Sequence, residues 1–164
     1  MARAIPALLL TAVLAACGGG GGAHATSPHA QGAEVDAFAA VFRAVEQWRQ
    51  GWQVRSLDAL EPLYRHDDHT VIVYQGRAQR GWDAAKEWLR NQLASTASVH
   101  IRIEDGVVTQ LGPDSATFAA RMGRDLSDGA VTASDEGFLT LTFVRVDDGW
   151  QIVAEHYSFA LGGS

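Results

Sequence analysis

The chain has 164 residues, with 13 lysines and arginines against 19 aspartates and glutamates, and its formal net charge at pH 7 is −6. This acidic balance excludes binding to nucleic acid through a basic face, because neutralising phosphates requires clustered Lys and Arg side chains. The single cysteine excludes any intramolecular disulfide bond.

Residues 1–16 have the pattern of an export signal. Arg3 supplies a positive charge, a short apolar run follows over residues 5–13, and small residues lead up to Cys17. The apolar run is too short for a membrane-spanning helix, which needs about 20 residues. The ending Leu14-Ala15-Ala16-Cys17 resembles the lipobox of bacterial lipoproteins.

The lipobox resemblance implies export across the bacterial inner membrane, cleavage before Cys17, and anchoring of the protein through lipid chains on that cysteine. In lipoproteins, an aspartate after the cysteine usually retains the protein at the inner membrane. Gly18 stands there, so an outer-membrane or cell-surface location is favoured. The alternative is an ordinary signal-peptidase site beside a free cysteine.

Residues 17–33 are predicted to form a flexible linker behind the lipidated cysteine. Five consecutive glycines followed by polar residues bury too little apolar surface to become ordered. The glycines lack the Gly-Lys-Ser/Thr ending of a phosphate-binding loop. A single folded domain is therefore expected over residues 34–164, which is long enough for one hydrophobic core.

Three helices are predicted before the first long run of strands. The first shows apolar residues at three- and four-residue spacing, namely Val35, Phe38, Phe42, Val45, Trp48 and Trp52. A short second helix begins after Ser56, a residue type preferred at the N-cap. The third covers residues 82–93.

The rest of the chain is predicted to form strands. β-Branched and aromatic residues indicate a first strand at 70–74, followed by a loop at 76–81. Later strands are separated by predicted turns at 104–106, 112–114, 126–130 and 147–149. Three helices on a curved mixed or antiparallel sheet make an α+β domain.

Alternation along the last strand predicts which side chains share a face. One face receives Trp150, Ile152, Ala154, His156 and Ser158, and the other receives Glu155 and Tyr157 among others. Both faces carry large apolar groups, whereas a sheet covered on one face alternates cleanly with polar residues. Helices are therefore expected on one face and a second copy of the chain on the other, which predicts a homodimer.

The order of elements resembles the nuclear transport factor 2-like, or SnoaL-like, superfamily over residues 34–160. The resemblance depends on Leu60-x-x-Leu63-Tyr64, on Asp67-Asp68 before the first strand, on Gly81 before the third helix, and on the run from Asp148-Gly149-Trp150 to Ser158. It implies a cone-shaped fold in which helices and a curved sheet enclose a blind pocket, usually in homodimers.

Two branches of the superfamily guide the choice of site residues. Ketosteroid isomerases use a Tyr, an Asp base and a second acid, and an alignment by eye places Trp48, Val73 and Leu139 at those positions, which disfavours that chemistry. The association domain of calcium/calmodulin-dependent kinases has a polar pocket of Arg, Glu and His. His156 matches it by position, and Arg124 and Glu136 match approximately.

The predicted ligand-binding set combines these three polar residues with aromatic residues suited to lining a pocket, and it comprises Trp48, Tyr74, Trp88, Arg124, Glu136 and His156. His156 carries an imidazole, a side chain that can give or take a proton, and is the candidate general acid/base, while Arg124 and Glu136 are suited to holding a carboxylate ligand. The structural alternatives are a core histidine, an ion pair at the pocket edge, and aromatic residues that only pack.

The predicted function is binding of a small apolar or amphipathic molecule in the pocket of a membrane-anchored domain. The alternatives are an isomerase, cyclase or hydratase that uses His156, and a structural dimerisation module whose own side chains fill the pocket. No cofactor is predicted. His66-Asp67-Asp68-His69 contains metal-ligand residue types, but a turn directs neighbouring side chains apart, so no metal site is predicted either.

Overall fold

A computed structural model describes residues 28–147 and 149–159, with side-chain burial described from Ala37 onward. Three helical segments and a six-stranded mixed sheet confirm the predicted α+β class. The predicted signal peptide, Cys17 and residues 18–27 of the predicted linker lie outside the described residues. Export, lipidation and membrane anchoring therefore stay predictions.

Helix α1, Pro28–Gln53, supplies one wall of the core. It begins within the predicted linker, so residues 28–33 are helical. Its buried face carries Ala37, Val41, Ala44, Val45, Trp48 and Trp52. Phe42, which was expected inward, is 45% exposed and packs the edge of its ring on Phe118 with the centroids 5.8 Å apart. None of the described helices combines the length and hydropathy of a membrane span.

Two shorter helices complete the helical layer. Helix α2, Leu57–Leu60, starts where the Ser56 hydroxyl accepts a hydrogen bond from the backbone N–H of Ala59 at 3.1 Å, so the predicted N-cap is confirmed. A 3₁₀ turn, Glu61–Leu63, contains Pro62 and ends the segment. Helix α3, Trp82–Ala94, buries Trp82, Ala85, Leu89 and Leu93.

The sheet has the strand order β2-β1-β6-β5-β4-β3. Its strands are β1 Val71–Tyr74, β2 Arg77–Arg80, β3 Ser98–Gly112, β4 Ser115–Ser127, β5 Thr132–Val146 and β6 Gly149–Phe159. Neighbouring strands are antiparallel except β1 and β6, which are parallel. We call the face that packs on α1 and α3 the inner face, and the opposite face the outer face.

Two predicted connections differ from the structure. The predicted loop at 76–81 contains strand β2, because Gln75 and Gly76 both have positive φ (48° and 75°) and form a tight two-residue hairpin turn. The predicted turn at 104–106 is a bulge within the continuous strand β3, where Asp105 has φ 54° and the pairing with β4 shifts by one residue.

A bulge in β6 reverses the predicted alternation of the last strand. Thr142 of β5 pairs with Ala154 and the next residue, Phe143, pairs with Ile152, so Val153 has no partner across the ladder. An extra residue in one strand moves every later side chain to the opposite face. Glu155 and Tyr157 therefore point inward, like Trp150 and Ile152. A strict alternation would place them on the other face of the sheet.

Candidate ligand site in the interior

The most buried acid of the described residues lies on the inner face of β6. Glu155 is 1% exposed, and its carboxylate accepts hydrogen bonds from the Tyr64 hydroxyl, the Tyr157 hydroxyl and the Trp48 indole Nε1, the last at 3.2 Å. Trp48 also donates to the Tyr64 oxygen at 3.1 Å. We call these four residues the Glu155 cluster. Three donors compensate the carboxylate for the water that it loses on burial.

Burial nevertheless favours the neutral forms of these groups. It raises the pKa of Glu155 to about 7, against the lowering effect of the hydrogen bonds from Tyr157, Tyr64 and Trp48. Burial, with the adjacent Glu155 carboxylate as the next cause, raises the pKa of Tyr64 and of Tyr157 well above the usual value for a phenol. Glu155 is therefore the member of the cluster that exchanges its proton near neutral pH.

A second polar group surrounds the buried guanidinium of Arg124. Its Nη2 donates to the Tyr74 hydroxyl at 2.6 Å and to Asp135 Oδ2 at 2.8 Å, and its Nε donates to the same oxygen at 3.2 Å. The ring of Phe159 lies 4.1 Å from the guanidinium carbon. Among the described residues no hydrogen bond uses Nη1, so this donor is free for a further acceptor.

Between these two groups lies a small cavity, which we call the Trp52 cavity. Its apolar walls are mainly aliphatic, and Arg124 and the Tyr157 ring also line it. The full lining comprises Trp52, Gln92, Thr96, Val99, Ile101, Met122, Arg124, Leu126 and Tyr157. The cavity volume is about 10 Å³, which is enough for one water molecule.

Trp52 carries the one buried side-chain polar atom that lacks a partner within the described part of the chain. The residue is 7% exposed, and its indole Nε1 makes no hydrogen bond. A buried donor without an acceptor costs about 1–3 kcal/mol. The unpartnered donor therefore belongs to a residue that lines the cavity.

The structure brings together three of the six residues predicted to bind a ligand. Tyr74 contacts Arg124, and its ring lies 5.4 Å from that of Trp88. Trp88 in turn packs on Trp52 at 6.1 Å. Of the predicted residues, Arg124 lines the cavity, whereas Trp48 belongs to the Glu155 cluster.

The other two predicted residues lie outside the interior. His156 is exposed on the outer face, because the bulge at Val153 turns it away from the helices, so its predicted inward orientation is wrong. Glu136 is exposed and pairs with Arg102 at 2.9 Å. The acid beside Arg124 is its cross-strand neighbour Asp135, one position earlier in β5.

Sequence reasoning did not identify Glu155, Tyr157, Tyr64, Trp52 or Asp135 as site residues. Asp135 was within reach, because a residue directly opposite Arg124 in register shares its face. Glu155 and Tyr157 were hidden by the bulge, which has no glycine or proline to mark it. The described residues contain no group of three His, Cys, Asp or Glu side chains arranged to hold a metal ion.

Comparison with protein families gives one match that spans most of the chain. The family model described as "SnoaL-like domain" matches residues 33–162. No curated protein sequence matches the chain significantly.

Solved structures share the fold at low sequence identity. A candidate dehydratase of the nuclear transport factor 2-like family from Streptomyces avermitilis has a TM-score of 0.73 and 17% identity, covering 79% of this chain and 99% of its own. A candidate scytalone dehydratase from Novosphingobium aromaticivorans has a TM-score of 0.71 and 13% identity, covering 80% and 89%. A candidate calcium/calmodulin-dependent kinase association domain from Thiobacillus denitrificans has a TM-score of 0.61 and 21% identity, covering 71% and 92%.

Proposed function

Because the chain belongs to the SnoaL-like domain family, we propose that its domain binds a small molecule with an apolar body and a hydrogen-bond acceptor in the Trp52 cavity. The observation that carries the proposal is the buried Trp52 Nε1, which has no acceptor within the described residues. Arg124 is the charged donor of the lining. Its hydrogen bonds to other described residues use Nε and Nη2, so Nη1 is available for a ligand. Two donors in an apolar setting select a ligand oxygen.

The cavity must enlarge before such a ligand enters. Its volume of about 10 Å³ is far below the roughly 300 Å³ of common ligand pockets. Gln92 and Leu126, which line it, are only half-buried and have flexible side chains, so they are the residues that move aside at the least cost. Ligand binding is therefore coupled to opening of the cavity.

The small volume favours a second candidate function, in which the domain is a structural module. Trp48, Trp52, Trp88 and Tyr157 pack on one another with ring centroids 6.1–6.3 Å apart and leave little space between them. Under this alternative no small molecule binds inside. Native mass spectrometry of the purified domain separates the two, since a ligand that co-purifies supports binding.

Replacing Trp52 by phenylalanine is expected to weaken ligand binding about tenfold, which corresponds to the loss of one hydrogen bond. The measurement is calorimetric titration with acetophenone and 2-acetonaphthone, each compared with the isopropenyl analogue that has the same shape and no acceptor. The ketones are expected to bind more tightly than the analogues in the wild type and by a smaller margin in W52F, where Arg124 is the remaining donor of the pair.

The matched control is W150F, because Trp150 is also buried but lies at the start of β6, away from the cavity. W150F is expected to leave the preference for ketones unchanged. If none of the four compounds binds and no ligand co-purifies, the structural alternative holds and the binding proposal fails.

The proposed binding domain functions as a homodimer, with a second copy of the chain on the outer face. Two side chains there, Val107 and Phe138, are each 60% exposed in the single chain. Arg121 and Glu136 border the groove beside Phe138. Charges of both signs next to an apolar patch suit a two-fold interface, in which the same surface meets itself.

Phe138→Asp is expected to convert the dimer into a folded monomer, because the interface loses the apolar contact of the ring and must instead remove water from a carboxylate. Sedimentation velocity at several protein concentrations measures the change, and far-UV circular dichroism checks that the variant folds. V54D is the control, since Val54 is also exposed but lies just after α1 and does not border the groove beside Phe138. A wild type that sediments as a monomer at every concentration contradicts the dimer.

A further inference from the structure

The Glu155 carboxylate is buried without a positive charge beside it. Its three donors are neutral, and no Lys, Arg or His nitrogen lies within salt-bridge distance of it among the described residues. A buried anion compensated only by neutral dipoles is costly to keep ionised. A second anion placed nearby adds to this cost, because charges interact strongly where water is excluded.

Tyr157 links this carboxylate to the Trp52 cavity. Its hydroxyl donates to Glu155 Oε1, its ring lines the cavity, and the guanidinium carbon of Arg124 lies 6.0 Å from the ring centroid. A ligand in the cavity is therefore separated from Glu155 by the width of one phenol ring. At such a distance in a buried environment, the two groups influence each other's ionisation.

The cation of the cavity is already neutralised. Arg124 pairs with Asp135 at 2.8 Å, so the guanidinium offers an oriented donor but no net positive charge. An anionic ligand that binds to Nη1 and to the Trp52 indole thus brings an uncompensated charge next to Glu155. The interior balances this charge if Glu155 becomes neutral.

We propose that the Trp52 cavity takes a carboxylate-bearing ligand and that Glu155 takes up a proton from solvent when this ligand binds. The proposal rests on the proposed function and specifies the chemical class of the ligand. Arg124 Nη1 and the Trp52 indole N–H provide two donors from the lining residues, one for each oxygen of a carboxylate, and hydrogen bonds to a charged oxygen are stronger than those to a neutral one. The proton moves onto the Glu155 carboxylate, and the bound ligand stays ionised.

The titration behaviour of the surrounding groups supports Glu155 as the proton acceptor. Burial raises the pKa of Glu155 to about 7, so the carboxyl is divided between its two forms at neutral pH. Tyr64 and Tyr157 face it from the 3₁₀ end and from β6, and burial raises the pKa of both phenols well above the usual value, so they stay neutral. Arg124 and Asp135 form the remaining charged pair.

The experiment is calorimetric titration of the full domain with benzoate and 2-naphthoate in phosphate and in Tris, two buffers with different ionisation enthalpies. With a pKa of about 7 for Glu155, we expect uptake of about half a proton at pH 7 and close to one at pH 8. The affinity for the carboxylates is expected to fall about tenfold between pH 6 and pH 8. Binding of the neutral ketones is expected to take up fewer protons than binding of the carboxylates at each pH.

Two variants identify the group that takes up the proton. E155Q is expected to bind the carboxylates with an affinity independent of pH and without proton uptake, because a neutral amide replaces the carboxyl. E104Q, which removes an exposed acid outside the cavity lining, is expected to retain the uptake. Carboxylate binding without proton uptake in the wild type, or uptake that persists in E155Q, overturns the proposal. If the ketones bind and the carboxylates do not, this inference fails while the proposed function stands.

Discussion

The free energy of unfolding of the wild type is expected to fall by about 3 kcal/mol as the pH rises from about 4.5 to about 7, and E155Q is expected to lack this fall. The folded-state pKa of Glu155 is above its unfolded value of 4.5, so the native state binds more protons between the two values. The bound proton contributes its full stabilisation at pH values below the pKa of the unfolded state. This contribution is lost as the pH rises through the pKa of the folded state.

Urea denaturation at fixed protein concentration, repeated between pH 4.5 and pH 8, measures this dependence. E155Q reproduces the hydrogen bonds of the protonated carboxyl, with one acceptor oxygen and one donor group. E104Q is the matched control, because Glu104 is exposed in β3 and its replacement is expected to leave the pH dependence unchanged. A difference between wild type and E155Q that does not vary with pH contradicts the buried placement of Glu155.

Gly137→Ala is expected to destabilise the domain by about 3 kcal/mol, the upper end of the cost of inserting a methyl group into a packed site. A Cβ atom at Gly137 would lie 2.1 Å from the backbone oxygen of Ser158 and 2.8 Å from the Cα of Phe159. The obstructing atoms belong to the backbone of β6, so no side-chain rotation relieves the clash. The change separates β5 from β6 at the end that carries Phe159, the ring beneath Arg124.

G112A is the control for this prediction. Gly112 is the last residue of β3, and the nearest atom to its added Cβ is the Ser115 hydroxyl oxygen at 3.3 Å, which can rotate away. Thermal unfolding of the two variants is expected to show a large loss for G137A and a small change for G112A. Equal effects would show that the close contact of β5 and β6 at Gly137 does not hold in solution.

The sequence predicted where the helices and strands lie better than it predicted which side chains of β6 face the interior. Three- and four-residue spacing in α1 correctly placed Val45, Trp48 and Trp52 in the core, because a regular helix keeps its phase over many turns. The inward prediction for Phe42 was wrong, since this residue lies at the edge of the buried stripe and packs its ring on Phe118. The turn at 112–114 was correct, because glycine and proline mark it locally.

The candidate site was harder to predict because it depends on the register of strands far apart in sequence. Because of one bulge at Val153, which no glycine or proline marks, Glu155 lies on the inner face of β6 and His156 on the outer face. The interior therefore contains a buried carboxyl, and the imidazole is exposed. The partner of Arg124 required the pairing of β4 with β5, which places Asp135 rather than Glu136 opposite it. No local pattern in the sequence shows that Trp52 lacks an acceptor, since this is a property of the assembled interior.

The central claim, that Trp52 supplies a hydrogen bond to a ligand in the interior cavity, is tested most directly by the indole N–H resonances in ¹H–¹⁵N spectra. The chain has five tryptophans, and W52F identifies the resonance of Trp52. On addition of 2-acetonaphthone this resonance is expected to shift downfield, as an N–H does when it gains an acceptor, while that of Trp150 stays in place. A Trp52 resonance that stays unchanged while the ketone binds, or a ketone that does not bind at all, would contradict the claim.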